Sequence, residues 1–264
     1  VSGRTSSAMS LLPAKPRVRE SFERAAASYD AAAIVQRQVG EYLLAKFDPH
    51  PAPTDLLDAG CGTGYGARLL RARWPLLHVT AVDFAVAMLA TARRDADLCL
   101  AADIEALPCR DETFAAWWSN LTVQWCDFDQ VLGEARRVLR PGGRLAMSTL
   151  GPDTFDELRQ AFAGVDRHRH TLSFSEPAAI GAALTRAGFA DIRLHRQTIS
   201  VHYPDLKTLL RAVKAIGANS VGDGARSGML GRNAWQRVQA AYEKHRTSAG
   251  LPARYDVILA YARK

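Results

Sequence analysis

The stretch Leu56-Leu57-Asp58-Ala59-Gly60-Cys61-Gly62-Thr63-Gly64 constrains the chain most: an apolar strand runs straight into alternate glycines and then into a helical pattern. Glycines there permit a tight turn and let the backbone itself approach a ligand. A lone G-x-G-x-G is a weak signal, because dinucleotide enzymes share it. The acid falls before the first glycine and no lysine follows the last, which excludes a P-loop. The turn predicts an α/β fold with a ligand beyond the carboxyl end of its first strand.

The flanking periodicity agrees. Thr54–Ala59 reads as a buried strand, Gly64–Arg73 as a helix and His78–Asp83 as a second strand. Ala87–Arg94 is a helix, Leu98–Asp103 and Phe114–Asn120 are strands, and Phe128–Leu139 is an amphipathic helix. Pro141-Gly142-Gly143 then turns the chain into the strand Arg144–Leu150. Alternating strands and helices imply a parallel sheet covered on both faces. Ahead of this core, Ser21–Lys46 has helical spacing, broken near Ser28-Tyr29-Asp30. Beyond it, residues 151–175 and 203–250 interrupt the rhythm around a helix at Ala178–Ala187 and a strand at Asp191–Tyr203. A last strand is expected at Arg254–Ala262, and residues 1–15 read as a flexible leader.

Hydrophobic residues at 48% and charged residues at 23% exclude a disordered chain. No apolar run is long enough to span a bilayer, and the small polar start lacks a secretory pattern. The four cysteines form no C-x-x-C pair, which argues against a zinc or redox motif; free thiols favour a cytoplasmic location. The formal charge of +7 is unevenly placed: between Arg186 and Arg246, eleven Lys or Arg face four acids. Most such residues are an ordinary solvated surface, but a one-sided excess favours an acidic partner.

Two more acids narrow the ligand. Asp83 ends the second strand, suited to ribose hydroxyls, and Asp103 ends the third in Ala102-Asp103-Ile104-Glu105, suited to an adenine amino group. Trp118-Ser119-Asn120-Leu121 closes the fourth strand, and Arg140-Pro141-Gly142-Gly143-Arg144-Leu145 precedes the fifth. Any one of these acids alone is as well explained as a helix cap or turn. In this order, over residues 55–150, the series resembles class I S-adenosylmethionine-dependent methyltransferases. The resemblance implies that Gly60, Gly62 and Gly64 wrap the methionine portion of the cofactor, with Asp58 just before them. It places Asp83 on the ribose, Asp103 with Ile104 on the adenine, and Asn120 near the methyl group. Phe84, Met88 and Leu121 would border the same pocket, and Gln36 would either bind the cofactor carboxylate or face solvent.

Outside the core, Ser21-Phe22-Glu23-Arg24-Ala25-Ala26-Ala27-Ser28-Tyr29-Asp30 is similar to the N-terminus of the malonyl-acyl-carrier-protein O-methyltransferases of biotin synthesis. So are Trp118-Ser119-Asn120-Leu121-Thr122-Val123-Gln124-Trp125-Cys126, Ser148-Thr149-Leu150-Gly151-Pro152-Asp153-Thr154 and Lys214-Ala215-Ile216-Gly217-Ala218-Asn219. That family implies a Rossmann-like α/β fold: a seven-stranded, mostly parallel sheet with helices on both faces and an inserted helical lid. One methyltransferase domain would span 16–264, with N-terminal helices 18–47, a cofactor core 54–150 and lid segments at about 151–175 and 203–250. It also implies an acyl carrier protein as partner and methyl transfer to a malonyl carboxylate. That group is ionised at neutral pH, since carboxyl pKa values lie near roughly 4. It needs no general base or metal, so catalysis rests on alignment and exclusion of water.

Candidates on the substrate side are Tyr29, Gln124, Trp125 and His170, with Lys214 as a steering charge. Tyr29 and Trp125 read equally as core aromatics. His168 and His170 form an H-x-H without further ligands, which fits surface histidines better than a metal site. Three enzyme readings compete: a methyltransferase of another small carboxylate or quinone, a complex I assembly-factor-like arginine hydroxylase, and a nucleic-acid methyltransferase. Lys214 and the Trp118–Cys126 run favour the carrier-protein enzyme over the hydroxylase. The nucleic-acid reading lacks a recognition motif, and the intact cofactor constellation disfavours a non-enzymatic binding module.

Overall fold

The computed structural model describes residues 12–165, 168, 171–215 and 230–264. Strands β1 (Asp55–Ala59), β2 (His78–Asp83), β3 (Leu98–Ala101), β4 (Phe114–Asn120), β5 (Leu139–Leu150), β6 (Ala190–Tyr203) and β7 (Leu251–Arg263) form one sheet in the order β3-β2-β1-β4-β5-β7-β6. The first five are mutually parallel, whereas β7 runs antiparallel to both β5 and β6. This is the mostly parallel seven-stranded sheet that the family resemblance implied.

Adjacent residues on a strand point to opposite faces, so a sheet buried on both sides needs apolar residues at consecutive positions. Leu56-Leu57 and Trp117-Trp118 satisfy that requirement. Leu56 and Trp118 join one apolar cluster, with Val35, Val39 and Leu43 of α3 (Ile34–Ala45) and Ala67 and Leu70 of α4 (Tyr65–Arg73). Leu57 and Trp117 join the opposite cluster, with Val131, Leu132 and Ala135 of α6 (Phe128–Val138) and Ile180 and Leu184 of α8 (Pro177–Arg186). Asp127 caps α6, its carboxylate accepting from the Gln130 N–H at 3.2 Å, while Arg136 and Arg137 complement the dipole of the last turn.

Helices α5 (Val86–Ala92), α7 (Asp156–Ala163), α9 (Leu206–Ala215) and α10 (Arg232–Glu243) complete the covering. The segments expected to interrupt the alternation carry α7, α9 and α10, with α7 packed on α10 and on β7, and α9 on β6 and β7.

Three expectations shift. Lys15, expected within the leader, instead opens α1 (Lys15–Ala25), which has Lys15 and Pro16 in its first turn. The N-terminal helices are three, since Ala33 leaves the helical region (φ −81°, ψ 40°) between α2 (Tyr29–Ala32) and α3. The Pro141-Gly142-Gly143 turn is an irregularity inside β5: pairing jumps from Phe114 with Leu139 to Ala116 with Arg144. Gly142 (φ +77°) and Gly143 clasp the C-terminus there, through Gly142 N–H to the Lys264 carbonyl and Lys264 N–H to the Gly143 carbonyl, at 3.0 and 2.9 Å.

Candidate active site

The parallel strands reverse their order of addition between β1 and β4, and ligands of open α/β sheets bind beyond the carboxyl ends of strands at such a point. A cleft of about 1150 Å³, its open mouth included, lies there. After β1 the backbone N–H groups of Gly60 and Cys61 donate to the Val82 carbonyl at 2.8 and 2.9 Å, folding the glycine turn against β2. Gly60 (φ +76°) has no room for a side chain, because a Cβ would collide with Thr122. Gly62 (φ +54°) is different: the only atom near its Cβ position is Tyr29 Cε1 at 3.9 Å, so a larger side chain would enter the cleft itself.

Asp83 sits behind this turn, accepting from Gly62 N–H at 2.9 Å and Ala85 N–H at 2.8 Å. Burial pushes its carboxyl up to about 6, although those N–H groups pull it back and Glu23 nearby adds to the rise. Asp58 is more enclosed. Burial, reinforced by the Asp83 charge, pushes it up to about 7, and its Oδ2 has no hydrogen-bond partner. Asp58 and Trp118 are register partners on β1 and β4 and point to the same face, where Gly66 of α4 passes over both. Trp118 Nε1 and Gln36 Oε1 are likewise buried without partners, and both residues line the cleft. Two acceptors and one donor are thus left unmatched around one cavity. A buried polar group without a partner costs about 1–3 kcal/mol, and an amino-acid moiety carrying an ammonium and a carboxylate would satisfy all three.

Helix α1 closes the other side. The Lys15 ammonium pairs with Asp103 and with Glu105, the latter at 2.5 Å. Both Glu23 oxygens accept from the first turn of α5, from Val86 N–H at 2.7 Å and Ala87 N–H at 2.9 Å. Between these ends, Phe22 meets Tyr29, Phe84 and Trp125 at ring separations of 6.4, 6.5 and 5.8 Å. The Thr63 hydroxyl donates to Asp30 Oδ1 at 2.5 Å, tying α2 to the glycine turn.

Of the residues expected to meet the cofactor, Gln36, Asp58, Gly60, Gly62, Asp83, Phe84, Met88, Asp103, Ile104, Asn120 and Leu121 all line this cleft. Gly64 does not. Its φ of +90° and the 2.8 Å from its Cβ position to Ala92 Cα make it a close-packing point between α4 and α5. Asn120 lines the cleft with its amide already engaged: Nδ2 donates to the Gln36 carbonyl and Oδ1 accepts from Ser148, both at 2.8 Å. It therefore holds α3 against β4 and β5, with one of its two amide N–H groups committed to that role.

On the substrate side, Tyr29 and Trp125 line the cleft. Burial holds the Tyr29 phenol well above its ordinary value, so it keeps its proton. Gln124 points away, its Nε2 donating to the Leu121 carbonyl at 2.7 Å and its Oε1 buried without a partner. Lys214 is exposed on α9 and does not border the cleft. His170 lies outside the described residues. Among the described residues no group of His, Cys, Asp and Glu is placed to hold a metal, and no helix is long and apolar enough to cross a membrane.

Sequence reasoning passed over Lys15, counted with the leader, and Glu23, Asp30, Thr63 and Trp118 as site-building residues. It also passed over Gly66, although the alternation of glycines from Gly60 continues to it through Gly64 and marks it in the sequence.

Residues 57–147 match a family described as methyltransferase domain. Over 254 residues the chain is 52% identical to a malonyl-(acyl-carrier protein) O-methyltransferase of Dechloromonas aromatica, covering 96% of this chain and 95% of that protein. A protein of the same name from Laribacter hongkongensis is 45% identical, covering 94% and 89%. Among solved structures, a SAM-dependent methyltransferase of Thermotoga maritima superposes with a TM-score of 0.57 at 18% identity, over 93% of this chain and 99% of that one. A phosphoethanolamine N-methyltransferase of Haemonchus contortus, in complex with S-adenosyl-L-methionine, gives 0.53 at 18% identity, over 85% and 52%. Coverage of nearly the whole chain at such identity, on a class I fold whose cleft is ringed by Asp58, Asp83 and Asp103, shows that the chain belongs to the malonyl-(acyl-carrier protein) O-methyltransferases, S-adenosylmethionine-dependent enzymes.

Proposed function

We propose that this enzyme methylates the free carboxylate of a malonyl thioester carried on acyl carrier protein, and so initiates the pimeloyl chain of biotin. The observation that carries the reading is the 52% identity to a protein of that name over almost its full length. The cleft is consistent with it in three respects.

The unmatched Asp58 Oδ2, Gln36 Oε1 and Trp118 Nε1 suit the amino-acid end of S-adenosylmethionine, Asp83 the ribose and Asp103 the adenine. When bound, the cofactor supplies an electrophilic methyl group on a sulfonium. Phe22, Tyr29, Phe84 and Trp125 form an aromatic wall that keeps water out. A malonyl carboxylate is already an anion, so the chain has only to orient it. Tyr29, protonated and on the wall, offers it a hydrogen bond and cannot act as a base. A neutral donor suits a reaction that consumes the negative charge, because a tightly held cation would favour the ground state.

The test is transfer of a labelled methyl group from the cofactor to malonyl carrier protein, with malonyl-CoA, free diacids and quinones in parallel. A base-labile label on the carrier protein is the expected result. Labelling of a free acid or a quinone, with the carrier protein untouched, would replace the reading with a small-molecule methyltransferase.

A further inference from the structure

The charge excess noted in the sequence has a definite location. Many long cations of the described surface stand against carboxylates: Arg68 against Asp95, Arg140 against Asp55, Arg186 against Asp129, Arg246 against Glu243 and Arg263 against Asp191. Even Arg196, inside the basic segment, is held by Asp256 and Asp153. Helix α9 gathers three cations without such a partner on one face. Leu206 and Leu209 are buried, and Leu210 and Val213 pack partly against the core. Lys207, Arg211 and Lys214, at i, i+4 and i+7, share the exposed face. No carboxylate among the described residues pairs with any of the three. The nearest acid in sequence, Asp205, accepts from Thr208 N–H and hydroxyl at 2.7 and 3.0 Å, and feels Arg211 only through longer-range attraction.

The position of this stripe gives it meaning. Helix α9 packs against α2, which carries Tyr29 and Asp30 into the cleft. Just past α2, Ile34 at the start of α3 is 46% exposed. We propose that the exposed face of α9 is the docking surface for an acidic carrier domain, delivering its thioester arm over α2 into the cofactor cleft. The proposal rests on the carrier-protein reading above and adds where that partner sits. Unpaired cations near a binding site raise the encounter rate of an acidic partner by roughly 10–1,000-fold, an effect that salt removes. Exposed charges are screened over about 8–10 Å at physiological ionic strength.

The experiment compares Lys207→Glu/Arg211→Glu with wild type, leaving Lys214 in place. The control is Lys46→Glu/Arg94→Glu. It makes the same charge change at exposed residues just past the ends of α3 and α5, neither of which lines the cleft. Substrates are malonyl carrier protein and the malonyl thioester of pantetheine, which has the arm without the protein. The α9 variant should lose at least about ten-fold in kcat/KM on the carrier protein at low salt, with kcat retained and the salt dependence flattened. Its activity on the pantetheine thioester, and both activities of the control, should stay within about two-fold of wild type.

Equal losses in the control would reduce the effect to net charge and overturn the proposal. Loss on the pantetheine thioester would make α9 part of the fold or the cleft. Unchanged carrier kinetics, with charge-dependent binding of a mixed-sequence RNA or without it, would also overturn it. Wild type that methylates the pantetheine thioester but never the carrier protein would sink the carrier-protein reading itself, and the docking surface with it.

Discussion

The Asp58 carboxylate lies where a side chain on Gly66 would begin: a Cβ there would stand 2.6 Å from Asp58 Oδ2 and 3.2 Å from Trp118 Nε1. Helix α4 can cross the end of β1 this closely only because it carries no side chain at that point. The cleft owes the room for these two unpartnered polar atoms to that absence.

Gly66→Ala is therefore expected to push the Asp58 carboxylate out of place. Alanine favours a helix over glycine by about 1 kcal/mol, but overpacking a tight contact costs about 1–3 kcal/mol. The net result should be little change or a modest fall in stability, together with clearly weaker cofactor binding. Calorimetric titration with S-adenosylmethionine beside a thermal melt separates the two effects. Wild-type affinity would mean that Asp58 is not a cofactor contact.

Cofactor affinity should rise with pH. Burial raises Asp83 to about 6 and Asp58 to about 7, and a cationic ligand favours both as carboxylates. Binding should strengthen from pH 5.5 to 8 and then level off, releasing protons near neutrality. The two acids interact, so the steps belong to the pair and not to either residue. Without ligand the sign reverses. The folded state binds more protons than the unfolded one between about pH 4 and 7, so these acids make the free enzyme less stable as pH rises through that window. Titrations in buffers of different ionisation enthalpy, with melts at pH 5 and 8, test both signs. Affinity independent of pH would show that the acids do not ionise on binding.

Lys15→Ala should alter kinetics more than stability. The Lys15 side chain is 41% exposed, and such pairs contribute about 0–1 kcal/mol. It nonetheless fastens α1 to Asp103 and Glu105 across the cleft, with Glu23 fastening the other end. Releasing one end should speed both association and dissociation of the cofactor. Trp125, edge-on to Phe22 of α1, is a natural fluorescence reporter for stopped-flow measurement. Identical rates would mean that α1 does not gate entry.

Arg254→Ala should destabilise the fold at a distance from the chemistry. Glu157 on α7 is fully buried, pairs with Arg254 on β7, and leaves Oε2 without a partner. Removing the guanidinium strands that carboxylate, at a cost of about 1–3 kcal/mol. Glu157→Gln combined with Arg254→Ala should recover part of the loss. Urea unfolding provides the measurement, and an unchanged midpoint for Arg254→Ala would show that solvent reaches Glu157.

The β1 strand, its glycine turn, the acid ending β2 and the acid two residues past β3 were legible in the residues themselves. Each depends on local spacing: consecutive apolar residues for a doubly covered strand, and glycine where φ is positive at Gly60 and Gly62. The parallel core followed from the same alternation and the count of seven strands from the family resemblance, whereas strand order and the antiparallel β7 came only from the structure. What tertiary structure alone decided were directions and long-range partners. Lys15 reaches Asp103 across 88 residues of sequence, a pairing that no periodicity encodes. Gln124 belongs to the motif beside Trp125, but the turn after β4 points one into the cleft and leaves the other bound to the Leu121 carbonyl. Asn120 arrives at the expected place with its amide already engaged by Gln36 and Ser148. Gly64 shares the spacing of Gly62 yet packs on Ala92. Local sequence sets backbone conformation and which faces are apolar, whereas the rotation of a side chain and the identity of its partner depend on elements that meet only when the sheet is assembled.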